Sequence, residues 1–160
     1  MIIKFSGKCS GFGGPNDTGV APGEGLALWQ PNDLNDVRYS EQVKYLFLSK
    51  QPEGTTGLAR RLNSETAHYI ACRWDYTKYS KAFLKMSWIS VLNPVNGKTA
   101  RAVPVDWGPN IDTGRVADLS YCLLTQLGLE TDDIVEVEIP PISQSVNTAV
   151  SISSTSFANS

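Results

Sequence analysis

The sequence has no cluster of basic residues: among its 160 positions Lys and Arg are scattered, charged residues make up 19%, and the net charge is −2. Nucleic acid and anionic membrane surfaces both need a concentrated positive face, so neither is an expected partner. No apolar run reaches membrane-spanning length. The opening Met1-Ile2-Ile3-Lys4-Phe5-Ser6-Gly7 is too short a hydrophobic stretch for a secretory signal. Cysteine is scarce as well. Cys9, Cys72 and Cys122 are odd in number and lack C-x-x-C spacing, which argues against a zinc site or a disulfide framework, with one pair through Cys9 left open. Cys72 and Cys122 sit in apolar runs and read as small core residues. The chain reads as made in a reducing cytosol, and no motif indicates a metal or cofactor.

What the sequence does contain is turns. Thirteen Gly and nine Pro separate short apolar runs, the pattern of a mainly β fold in a single domain. Strands are expected at Ile2 to Phe5, Gly25 to Trp29, Val43 to Leu48, Tyr69 to Trp74 and Met86 to Leu92. Two more follow at Thr99 to Asp106 and Ile134 to Ile139. Gly7 to Gly25 reads as a Gly-rich loop, Leu34 to Tyr39 as turn-like, Leu58 to Leu62 as one helical turn, and Thr77 to Lys81 as a basic, Tyr-rich connection. Asn93 to Lys98 is a hairpin turn. One longer helix is expected at about 120–127, capped by Ser120 or Asp118 and closed by Gly128. Pro140-Pro141 ends the fold, and residues 141–160 form a low-complexity tail, read as extended or disordered, as a linker, or as a segment ordered by a protein partner.

One stretch organises the rest. Ala102-Val103-Pro104-Val105 delivers Asp106 onto the turn Trp107-Gly108-Pro109-Asn110, a common way to present a binding or catalytic carboxylate. Gly108-Pro109-Asn110-Ile111-Asp112-Thr113-Gly114 echoes Gly14-Pro15-Asn16-Asp17-Thr18-Gly19 near the N-terminus. Either the two loops are halves of an internal symmetry or two turns use the same turn residues independently. Asp17 and Asp112, each before Thr-Gly, read as Asx-turn residues.

Val105-Asp106-Trp107-Gly108-Pro109, then Thr113 to Ser120, then Leu127-Gly128-Leu129, with Asn93-Pro94-Val95-Asn96-Gly97 upstream, resembles the double-psi β-barrel domain of rare lipoprotein A. The likeness covers about residues 86 to 139. Expansins, barwin-like proteins and some lytic transglycosylases share that barrel. The resemblance implies a six-stranded double-psi barrel over residues 1–140, with residues at about 31–67 inserted. It also implies lytic cleavage of peptidoglycan glycan strands, which leaves anhydro-muramic ends. Of the family's catalytic positions, Asp106 matches the Asp of Asp-Arg-Gly-Pro, and Glu24 in Ala21-Pro22-Gly23-Glu24 matches a Glu after the N-terminal loop. Arg73 falls in the place of the family's His. The sole histidine, His68, lies a few residues earlier, and Trp107 replaces the motif Arg.

The chemistry needs a proton donor at the leaving oxygen and a group that stabilises positive charge on the sugar. Asp106, flanked by Val105 and Trp107, is the candidate acid/base; Glu24 or Asp75 is the candidate second carboxylate. Trp29, Trp74, Trp107 and Tyr76 offer stacking surfaces for sugar rings or serve as packing, and Arg73 is a candidate substrate contact. For Asp106 the bland reading is a turn carboxylate held by backbone N–H groups or by Arg115, and for Asp118 a structural cap. A glycan-cleaving enzyme and a non-catalytic glycan-binding or structural barrel both remain open; a protease-inhibitor-like or assembly role through the tail is a third reading. With no secretory signal visible, a cell-wall target implies carriage on a phage particle or export by a specialised route.

Overall fold

The computed structural model describes residues 2–142; the tail expected at 141–160 lies, from residue 143 onward, outside the described residues. Six strands, β1 (Ile3–Gly11), β2 (Tyr69–Cys72), β3 (Ile89–Leu92), β4 (Thr99–Trp107), β5 (Arg115–Leu119) and β6 (Ile134–Ile139), close into a barrel in the order β1-β5-β2-β4-β3-β6. Alternation directs the core. In β6, Val135, Val137 and Ile139 are buried while Glu136 and Glu138 lie between them, as period-two patterning requires. Val91, Val103, Val105, Ala117 and Leu119 fill the interior from the other strands. The fold is mainly β, and its ring is compatible with a double-psi arrangement.

The ring has an internal symmetry. Advancing each strand number by three carries β1 onto β4, β5 onto β2 and β3 onto β6, and every neighbouring pair falls on another neighbouring pair. Strand direction obeys the same rule: β1/β5 and β2/β4 are parallel, and the other four pairs are antiparallel. Each parallel pair carries a register shift, between Lys8 and Cys9 in one and between Ile70 and Ala71 in the other. The two Gly-Pro-Asn loops follow β1 and β4, which are equivalent strands, so their likeness has a place in the symmetry.

Strand β5 is not among the expected ones, and three expected elements differ. Val43 to Leu48 is not a strand but lies in helix α1 (Ser40–Leu46) and its cap. Tyr39, Val43, Leu46 and Phe47 are spaced for one helical face, and a short apolar run alone does not distinguish that face from a strand. Gly25 to Trp29 is not a strand either. Both edges of β4 are already taken by β2 and β3, so the segment runs beside β4 and adds single bonds, including Leu28 N–H to the Val105 carbonyl at 3.3 Å. The third difference is at Thr77 to Met86. After the α2 turn (Leu58–Arg61) and β2, Ser80 caps a short α3 (Lys81–Lys85), accepting from the Phe83 N–H at 3.0 Å, and the next strand starts at Ile89 rather than Met86. Strand β1 also runs on to Gly11, into what the composition marks as loop.

The expected helix is α4 (Tyr121–Leu127), with Leu123, Leu124 and Leu127 buried and Gly128 in the left-handed conformation at its end. Ser120 precedes it without a side-chain cap bond; its buried hydroxyl lies 3.4 Å from the Tyr69 N–H instead. Asp118 is not a cap, because it belongs to β5. The three cysteines are free thiols, Cys9 and Cys72 buried and Cys122 half-buried, so no bond forms through Cys9. Burial pushes the Cys9 thiol up to about 11 and raises that of Cys72 further, which makes both inert at neutral pH.

Candidate functional site

The parallel pair β2/β4 and the antiparallel pair β2/β5 set three residues in one lateral row. Ala71 on β2 is opposite Asp106 on β4 and opposite Asp118 on β5. On the far side of Asp118 the row continues to Ser10 of β1. All four line one open cleft of about 360 Å³, bounded by the two Gly-Pro-Asn loops. Because Val105, Ala117 and Leu119 point into the core, their neighbours Asp106 and Asp118 must point out of it. The methyl group of Ala71 leaves the space between the two carboxylates unfilled.

The two acids are held differently. Asp106 Oδ1 accepts from the Ala27 N–H at 2.8 Å and from the Trp107 N–H at 2.9 Å. Burial raises its pKa above the usual aspartate value, the two backbone donors oppose that rise, and the nearby charge of Glu24 adds to it. Asp118 accepts no hydrogen bond among the described residues. Burial first, then the charges of Asp106 and Asp17, push it up to about 6 against the opposing pull of Arg115. The pair therefore has distinct protonation tendencies: one carboxyl solvated by backbone, the other starved of donors.

Glu24 lines the same cleft, and its Oε1 lies 3.2 Å from the Ala21 N–H. Its backbone is fixed by Gly57. A Cβ on Gly57 would come within 2.0 Å of the Glu24 carbonyl oxygen, so only glycine permits this approach. Asp17 is the Asx-turn residue the sequence suggests, accepting from Gly13 N–H at 2.7 Å and Gly19 N–H at 2.9 Å, and it also borders the cleft. Asp112 is not; in its loop Asn110 makes the equivalent bond, accepting from the Asp112 N–H at 2.9 Å.

The other candidates divide. Trp107 and Tyr76 are 46% and 39% exposed; Trp107 lines the cleft, and the Tyr76 phenol is raised first by burial and then by the nearby charge of Asp106. Trp29 and Trp74 are core residues, only 1% and 4% exposed, and cannot stack on a sugar. Trp74 supports the site from behind: its indole donates to the Asp106 carbonyl at 2.7 Å, and its own carbonyl accepts the Trp107 indole at 3.0 Å. Arg73 is also structural, with one guanidinium nitrogen donating to the carbonyls of Pro109 at 2.7 Å and Arg115 at 2.8 Å, which ties the second loop together. Asp75 accepts from the Thr77 hydroxyl and N–H, which holds its carboxyl below the usual range, and it does not line the cleft. His68 is elsewhere, bonded to Gln126 at 2.9 Å.

Arg115 reaches neither Asp106 nor Asp118 by a hydrogen bond; its guanidinium pairs with Asp132 at 2.8 Å. Asp118 is the residue that sequence reasoning missed. Its signal was the alternation Ala117-Asp118-Leu119, in which an acid between two core residues must face outward from a strand. Among the described residues no group of three or more His, Cys, Asp and Glu side chains is arranged to hold a metal ion. No protein-family model matches this chain, and a search of curated proteins returned no match.

Proposed function

We propose that this protein cleaves a cell-wall glycan of the peptidoglycan type, as a lytic transglycosylase-like enzyme with a barrel of the rare lipoprotein A kind. The observation that carries the reading is the pairing of Asp106 and Asp118 across Ala71 in one open cleft, with Glu24 in the same lining. Asp118, at about 6, retains a proton where most carboxyls have lost theirs and acts as the donor to the glycosidic oxygen. Its proton goes to the leaving oxygen as the bond to the anomeric carbon breaks. Asp106, whose anion is stabilised by two backbone N–H groups, takes the proton of the attacking sugar hydroxyl. Glu24 offsets the positive charge that develops on the ring, and the exposed faces of Trp107 and Tyr76 receive neighbouring sugars. The polysaccharide is the principal partner, and carriage on a phage particle or a dedicated export route would deliver the protein to it.

A second reading has its own support. Arg73, in the place where the resembled family has its His, donates through one guanidinium nitrogen to two carbonyls and does not line the cleft. That favours a non-catalytic glycan-binding or structural barrel using the same groove. Incubation with purified peptidoglycan and mass analysis of the soluble products separates the two. The enzyme releases anhydro-muropeptides, and Asp106→Asn or Asp118→Asn lowers the rate at least about a hundredfold. Binding without any release, undiminished in both variants, is the result expected of a binding module.

A further inference from the structure

Asp118 meets charge of both signs. Asp106 on β4 and Asp17 in the first loop act on it from the acidic side, and Arg115 at the start of its own strand from the basic side. Glu24 shares the cleft, and the thiols of Cys72 on β2 and Cys9 on β1 are near enough to feel the Asp118 charge. Ser10 on β1 and Ala71 on β2, its lateral neighbours, carry no charge. Tyr121 on α4 also lies within reach of its charge. Arg115 is thus the one cationic side chain lining the cleft among the described residues.

That cation is turned aside. Nε of Arg115 donates to Asp132 Oδ1 at 2.8 Å and Nη2 to Oδ2 at 3.4 Å. The carboxylate that holds it is itself built in. Asp132 has a φ of 72°, in the region that a residue other than glycine rarely occupies, and its N–H donates to the Cys9 carbonyl at 2.7 Å. The turn ahead of β6 is thereby pinned to β1, next to the strand that carries Arg115 and Asp118.

We propose that Asp132 is a positioning residue for the cleft: by holding the Arg115 guanidinium in a two-bond pair, it keeps that cation off Asp118 and leaves Asp118 free to carry a proton. The inference rests on reading the cleft as an acid–base site. A guanidinium placed on a carboxylate makes a short, charge-assisted contact and favours the ionised form. Arg115 on Asp118 would therefore remove the proton donor. Its bond to Arg115 keeps the Asp132 carboxyl below the usual range, so the pair is still charged where Asp118 titrates.

Titration of the Asp118 carboxyl by NMR on the full-length protein tests this without substrate. Asp132→Asn is expected to move the Asp118 midpoint toward acid, raising its acid constant roughly three- to tenfold, and Asp132→Glu to restore it. Arg115→Gln is expected to move the midpoint the other way. If Asp132→Asn is folded and titrates like wild type, the proposal is wrong. If Asp132→Asn does not fold, Arg115→Gln decides, and a midpoint that fails to rise overturns it. Should the protein cleave glycan, Asp132→Asn also shifts the alkaline limb of the rate profile to lower pH. An absence of cleavage with the expected titrations would remove the proposed activity and leave the Arg115–Asp132 control standing.

Discussion

Asp118 makes the fold less stable as pH rises. Its folded pKa, about 6, lies above the 3.8 of an ordinary aspartate, so between these values the unfolded chain has released a proton that the native state retains. Stability is greatest below that window, declines through it, and is level above it. Asp118→Asn is expected to raise stability at pH 8 by on the order of 2 kcal/mol and to change little at pH 4, measured by urea unfolding at both. A gain at neutral pH together with lost activity is the signature of a functional group held at a cost to stability. Among single residues, Asp106 was marked by the apolar run that it ends at a Gly-Pro turn, and Glu24 by the resemblance that Ala21-Pro22-Gly23-Glu24 carries. Asp118 was hidden by the following Leu-Ser, which looks like a helix entrance. The tryptophans were legible as types but not in burial: nothing local marks Trp29 and Trp74 as core and Trp107 as surface.

Among the elements, the Asn93-x-x-Asn96-Gly97 hairpin has a purpose that reaches beyond its own turn. The side-chain amides of Asn93 and Asn96 both donate to the Leu127 carbonyl, at 2.8 and 3.0 Å, and so satisfy the end of α4, while Asn93 Oδ1 accepts from the Val95 N–H. Asn93 is buried, so Asn93→Ala removes one of the two amides on the Leu127 carbonyl and the acceptor of the Val95 N–H, and is expected to cost about 1 kcal/mol. Val95→Ala, at a fully exposed position of the same loop, should be nearly neutral. Thermal unfolding of the two variants checks the contrast. Hairpin, α4 and the strands β3, β4 and β6 were readable because their signals are local: paired turn residues, a terminal glycine, period two. Strand β5 was not, because its alternation runs directly into the helix entrance at Ser120. Residues 43–48 were not, because a six-residue apolar run fits strand and helix equally and only the position of its neighbours decides.

For the whole molecule, closure is what the sequence conveyed least from its patterns alone, since the parallel pairs β1/β5 and β2/β4 join segments far apart in the chain. The repeated Gly-Pro-Asn loop was the one long-range clue, and the ring symmetry gives it a location. The segment before β2 is tied to the barrel by Lys85, whose side chain is only 12% exposed. Its ammonium pairs with Asp33 at 3.0 Å and lies over the Tyr39 ring at 4.3 Å. Lys85→Ala removes the cation from a shielded carboxylate and from the rings of Tyr39 and Trp29, the latter at 5.2 Å, and a loss of roughly 3 kcal/mol is expected in chemical denaturation. Ala71 has the widest consequence. With β2 standing between the strands that bear Asp106 and Asp118, their Cα atoms are two strand spacings apart, roughly 10 Å. Retaining glycosidases form a covalent sugar–enzyme ester on one of their two carboxylates. In the proposed cleavage, the two acids flank the sugar from β4 and β5 and the substrate's own hydroxyl, not a carboxylate, attacks the anomeric carbon, so no ester forms. A fluorinated sugar designed to trap such an ester should leave the intact protein mass unchanged.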